Sequence, residues 1–123
     1  MQSIRNNIFV YGSLKRGFSN HRLLAEQNFL AVGRTLPRFK LYDLGDFPGM
    51  TEVAEEGHSI EGEIWSVDPG CLARLEILEG TAQGMYARVP IPMLPPYDML
   101  SVEGYLYRLD VTSHRDCGEV WIA

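Results

Sequence analysis

The chain is poor in the residues that most often announce a function. It holds only two cysteines, Cys71 and Cys117, with no Cys-x-x-Cys spacing. Two are too few for a disulfide-stapled secreted domain or a cysteine-built zinc site, and they read as free thiols in a reducing compartment. The three histidines, His21, His58 and His114, have no ligand spacing. They read as surface or capping residues, and no metal or other cofactor is expected. Basic residues are outnumbered by acidic ones, 11 against 16, for a net charge of −5. Such a balance argues against a nucleic-acid-binding face. Long apolar runs are missing as well: Ile8–Tyr11 is far too short to cross a bilayer. Met1–Asn7 has neither an apolar core nor a small-residue cleavage site, and no Asn-x-Ser/Thr acceptor occurs. A soluble, cytoplasmic protein without membrane contacts is expected.

Familiar catalytic signatures are also absent. Gly12 and Gly17 have the outer spacing of a phosphate-binding loop, but Phe18-Ser19 stands where Lys-Ser/Thr is needed. Without that lysine and hydroxyl the loop cannot hold a nucleotide phosphate and its magnesium. No Gly-x-Ser-x-Gly elbow occurs either.

What is present is an ordinary globular composition. The chain has 123 residues, 46% hydrophobic and 22% charged. This suits one domain, residues 1–123, with a core of its own. Glycine and proline recur at short intervals, as expected for many short strands. Ile8–Tyr11 reads as a strand buried on both faces, ended by Gly12-Ser13. Ser19 or Asn20 would cap a short helix of about residues 20–27. Strands are expected over Phe29–Thr35, Arg38–Leu44, Met50–Ala54, Ser59–Val67, Met85–Met93 and Val102–Leu109. Pro90 and Pro92 put the sixth of these seven strands at an edge or bulge. Asp68-Pro69 marks the start of the principal helix, about residues 69–79, and Gly80 its stop. Leu72, Leu75 and Leu78 form its apolar stripe, widened by Ile77. Val120–Ile122 should dock on the body. The fold class is α+β: a small, mostly antiparallel, closed or nearly closed β-barrel, since closure removes strand edges.

Three places can carry chemistry. The turn after Tyr11 can expose successive backbone N–H groups around Gly12, Ser13 and Leu14, a concavity suited to a carboxylate or an oxyanion. Lys15 and Arg16 would add positive charge beside it; a plain turn with solvated basic residues is the other reading. Glu76 and Glu79 lie three apart on the helix and are therefore neighbours. The helix C-terminus, like-charge repulsion and partial burial would each raise the pKa of Glu79. A glutamate near neutrality can take and return a proton, whereas a fully solvated one cannot be tuned this way. Tyr86 and Arg88 share one face of their strand, so they line a polar pocket or form an exposed pair.

These residues resemble a known family. Phe9-Val-Tyr-Gly-Ser-Leu-Lys-Arg-Gly17, followed by Asn20-His-Arg-Leu-Leu24, is similar to the opening of the gamma-glutamylcyclotransferase-like superfamily, most closely its gamma-glutamylamine branch. Gly33-Arg34, the Pro48 loop, Ile60-Glu-Gly-Glu-Ile64, Val67-Asp68, Leu75-Glu-Ile-Leu-Glu79, Tyr86-x-Arg88 and the Tyr105/Tyr107 strand follow in order. The resemblance covers nearly the whole chain and agrees with a compact β-barrel with flanking helices. It implies a cavity at Tyr11, Gly12, Ser13 and Leu14 that binds the gamma-glutamyl part of a small substrate. It implies Glu79 as the single catalytic acid/base; Tyr86, Arg88 and Tyr105 are candidates for the pocket wall. The reaction implied is cyclisation of a gamma-glutamyl compound to 5-oxoproline with release of an amine or amino acid. The alternatives are a binding module without catalysis on the same fold and a hydrolase or transferase acting on a gamma-glutamyl metabolite. Thr81–Met85 matches no particular substrate branch, and the oligomeric state is not readable.

Overall fold

The computed structural model describes residues 4–122. Eight strands and one α-helix follow in chain order: β1 (Asn6–Val10), β2 (Asn28–Arg34), β3 (Phe39–Asp43), β4 (Pro48–Glu52), β5 (Glu61–Val67), α1 (Pro69–Glu79), β6 (Tyr86–Pro90), β7 (Glu103–Tyr107) and β8 (Arg115–Asp116). They form a five-stranded sheet ordered β2-β5-β1-β7-β6 and a three-stranded sheet ordered β4-β3-β8. All strand pairs are antiparallel except β1 with β7.

The expected barrel closure does not occur. The edge strands β2 and β6 meet only past their ends, through one isolated bridge between Thr35 and Met93. Leu36 N–H donates to the Pro92 carbonyl at 2.9 Å, and Leu94 N–H to the Arg34 carbonyl at 2.9 Å. Pro90 and Pro92 have no N–H to extend this ladder, so the seam remains open.

Strand β1 is central and apolar on both faces, as its unbroken Ile8-Phe-Val sequence requires. Phe9 joins a core with Phe39, Leu41, Met50, Ile60, Ile64 and Leu106, which glues the small sheet to the large one. Ile8 and Val10 point the other way, into a core with Leu24, Trp65, Val67, Cys71 and Leu75 beneath α1. Burying a side chain such as Leu75 contributes ~1.5–3 kcal/mol.

Helix α1 has the bounds its capping residues dictate. Asp68 accepts from Cys71 N–H at 2.7 Å. Pro69 occupies the first position, and Gly80 ends the helix at φ 64° and ψ 39°. The stripe is narrower than expected: Ile77 is 81% exposed and Leu78 40%, because only the face carrying Cys71 and Leu75 meets the sheet. The short helix expected near residues 20–27 is a 3-10 turn, His21–Leu24. Asn20 makes no cap there; its Nδ2 donates to Ser13 Oγ at 2.9 Å instead. At the other end of the chain Trp121 is buried and Ile122 is exposed, so the tail docks through one side chain.

Candidate functional site

A cavity of about 260 Å³ opens where β1 ends. Tyr11, Gly12, Ser13 and Leu14 form one wall, Leu78 and Glu79 come from α1, Tyr86 from β6, Tyr105 from β7, and Phe47 and Pro48 from the entry to β4. Asn20 and Met85 complete the lining together with Phe9 and Val10. The strand-ending turn and the last helical turn, distant in sequence, thus face one space.

The reason for Gly12 differs from the bend read in the sequence. Its φ is not in the positive region. A Cβ placed there falls 2.7 Å from Pro48 Cδ and Cγ, so glycine is needed because the Pro48 ring lies against the backbone. The turn is braced from within: Lys15 N–H donates to the Gly12 carbonyl at 3.1 Å and Asn20 N–H to the Ser13 carbonyl at 2.8 Å. His21 Nδ1 lies 3.0 Å from the Leu14 carbonyl oxygen. Carbonyls are thereby occupied, while the N–H groups of Gly12, Ser13 and Leu14 have no acceptor among the described residues.

Lys15 and Arg16 do not serve this cavity. Lys15 is buried and its Nζ donates to the Trp121 carbonyl at 2.7 Å. Arg16 grips Glu63 through its Nε at 3.1 Å and its own N–H at 3.1 Å. Arg88, expected in the pocket, is absent from the lining; its guanidinium lies behind the wall near Glu76 and Glu103.

No lysine, arginine or histidine lines the cavity among the described residues. Glu79 therefore has no cationic partner in the cavity. Burial raises its pKa first, the Glu76 carboxylate second, and together they push it to about 7. Its neighbours are phenols. The Tyr11 hydroxyl donates to the Tyr105 carbonyl at 2.6 Å and accepts from Met50 N–H at 3.1 Å. Tyr86 donates to the Pro48 carbonyl at 2.9 Å. Burial, then charge on surrounding groups, raises the pKa of both well above the ordinary tyrosine range, so they remain neutral. Both hydroxyls tie β4 to the large sheet rather than reaching free into the cavity. Two ties of this kind between buried groups cannot be read from sequence spacing. The parts played by Asn20, Phe47, Pro48, Leu78 and Met85 also went unread, because each enters the lining through tertiary contact without a local signature.

Among the described residues no group of three or more His, Cys, Asp or Glu side chains is close enough to hold a metal ion. Among the described residues no helix is long and apolar enough to cross a membrane.

The site defines an α+β protein with an acid-bearing, cation-free cavity beside unsatisfied backbone donors. The chain belongs to the gamma-glutamyl cyclotransferase, AIG2-like family, whose profile matches residues 8–122. It is similar to a Vibrio cholerae protein provisionally named a gamma-glutamylcyclotransferase, 47% identical over 73 residues, which are 58% of this chain and 60% of that one. It is also similar to the gamma-glutamylaminecyclotransferase of Rattus norvegicus, 36% identical over 92 residues, 69% of this chain and 61% of that one. The chain thus spans about 60% of the length of these curated relatives. Among solved structures, a uropathogenic E. coli-specific protein superposes with a TM-score of 0.78 at 27% identity, covering 94% of this chain and 90% of that one.

Proposed function

We propose that this chain is a gamma-glutamyl cyclotransferase with Glu79 as its general acid/base. One observation carries the reading: a glutamate poised near neutrality lines a cation-free cavity together with Gly12, Ser13 and Leu14, whose backbone N–H groups have no acceptor among the described residues. The substrate is a gamma-glutamyl compound, and the name of the Rattus norvegicus relative favours a gamma-glutamylamine. Its α-amino nitrogen attacks its own γ-carbonyl carbon. Glu79 takes a proton from that nitrogen and delivers one to the departing amine as the C–N bond breaks, leaving 5-oxoproline. Ring closure is intramolecular, so no serine or cysteine nucleophile is required. The cavity walls hold the chain folded, and such orientation can lower a barrier by ~7–11 kcal/mol at best. Proton transfer of this kind contributes ~10²–10⁴-fold. The Gly12–Leu14 N–H groups receive the negative oxygen of the substrate.

The test is product analysis. Purified protein is incubated with a panel of gamma-glutamyl amines, peptides and amino acids, and 5-oxoproline is followed by mass spectrometry. Release of 5-oxoproline, abolished in Glu79→Gln, is the expected result. Free glutamate would instead mean hydrolysis, and binding without product would mean a ligand-holding module.

A further inference from the structure

Three polar atoms beside the cavity are buried without hydrogen-bond partners among the described residues: Glu76 Oε2, Arg88 Nη1 and Tyr105 Oη. Orphaned buried polar atoms are uncommon in native proteins, and these three form one cluster. Arg88 and Tyr105 are directly opposite each other on β6 and β7, so their side chains leave the same face as neighbours. Glu76 enters from α1, with Oε1 3.9 Å from Arg88 Nε, and its carboxylate adjoins the Tyr105 phenol. On the far side Glu103 Oε2 lies 3.8 Å from Arg88 Nε. Glu103 is itself fixed, accepting from Asn6 Nδ2 at 2.9 Å.

The chemistry of the set is complementary. It offers a guanidinium N–H and a phenol O–H as donors and a carboxylate oxygen as acceptor. Arginine does not lose its proton in proteins, so its charge is permanent. Both ion-pair distances exceed hydrogen-bonding range, so the guanidinium acts here through its charge.

The cluster meets the cavity twice. Tyr105 lines it, and Glu76 lies one helical turn before Glu79. The groups facing Glu79 are Glu76 from its own helix, Tyr11 from the turn after β1, Tyr86 from β6 and Tyr105 from β7. The phenols carry no charge, which leaves Glu76 as the charged neighbour of Glu79 and Arg88 as the counterion of Glu76.

We propose that Arg88 is a positioning residue: its fixed charge holds Glu76 and Tyr105 against the back of the cavity and, through Glu76, sets the electrostatic surroundings of Glu79. The role rests on the reading of Glu79 as proton carrier, but the arrangement can be measured without turnover.

The experiment follows the Glu79 carboxyl by NMR in protein with 13C-labelled glutamate, the signal being assigned by its loss in E79Q. It compares wild type, E76Q, R88Q, R88K and E76Q/R88Q, with 5-oxoproline formation recorded across pH in parallel. E76Q is expected to lower the Glu79 midpoint and R88Q to raise it, each by on the order of 0.5–1 unit, the spread ordinary protein surroundings produce. R88K, which keeps the charge, should remain near wild type. R88Q should have little further effect once Glu76 is gone. An unchanged midpoint in folded R88Q overturns the proposal, and so does an R88Q shift of equal size with and without Glu76. Should R88Q fail to fold, R88K decides: a midpoint near wild type supports the role of the charge, and a shift as large as that of E76Q overturns it. If the NMR shifts appear but no variant, wild type included, forms 5-oxoproline, the reaction assignment falls and the positioning role stands. Turnover with no shifts means the reverse.

Discussion

Replacing Glu79 by glutamine should stabilise the protein while destroying its turnover, and the gain should depend on pH. In the unfolded chain a glutamate titrates near 4.5; in this cavity Glu79 titrates at about 7. Below about pH 4.5 both states hold the proton and the residue favours neither. Between 4.5 and 7 the folded state keeps a proton that the unfolded state has released. Stability therefore falls as pH rises through that window, and above pH 7 the full penalty is present. A shift of about 2.5 units at 1.36 kcal/mol per unit amounts to about 3 kcal/mol. Glutamine carries no charge and escapes the penalty. For a chain of this length the difference corresponds to roughly 10 °C in Tm. The assay is thermal unfolding of wild type and Glu79→Gln from pH 4.5 to 8.5, read as a difference so that other titrating groups cancel. The variant should gain steadily on the wild type up to about pH 7.5 and then level off. A flat difference curve, or a gain that appears on the acid side, would refute the reasoning, because it would mean that the carboxylate is well solvated when folded.

Wild-type kcat/KM for 5-oxoproline formation should rise with pH through about 7, as Glu79 loses the proton that disables it as a base; a profile level from pH 5 to 9 would count against that role. Gly12→Ala should push Pro48 away from the turn and lower stability by ~1–3 kcal/mol, the usual range for overpacking, as measured by urea unfolding. Tyr11→Phe removes both the donor to the Tyr105 carbonyl and the acceptor for Met50 N–H. A buried unpaired group costs ~1–3 kcal/mol, so its urea midpoint should drop clearly, and an unchanged midpoint would show that the tie between the sheets carries little.

The parts legible in the sequence were those written locally. Asp68, Pro69 and Gly80 delimit α1 because capping and helix termination act within a few residues. The unbroken apolar Ile8-Phe-Val places β1 at the centre for the same reason. The proximity of Glu76 and Glu79 follows from helical spacing, and the raised proton affinity of Glu79 from that proximity plus burial. What could not be read depends on who meets whom across the fold. The parallel pairing of β1 with β7 and the diversion of Lys15 to the Trp121 carbonyl have no local signal, whereas the place of β6 at the sheet edge is signalled by Pro90 and Pro92. Arg88 shares a strand face with Tyr86, as period two requires, yet α1 supplies it with Glu76 and holds it behind the wall. Asn20 has the composition of a helix cap but spends its amide on Ser13, and no helix longer than His21–Leu24 forms. The two-residue strand β8 is too short to leave a pattern.

The hydroxyl of Tyr11 reaches a carbonyl 94 positions further along, and β1 finds its parallel neighbour only in β7. During synthesis β1 must therefore wait for β7 before the pocket exists. A fragment that contains the Tyr11 bend and Glu79 but not β7 still lacks Tyr105 and one wall of the cavity. Contacts this distant in sequence also slow folding. The cavity is thus completed only once β7 is in place, and a chain cut short of β7 lacks that wall.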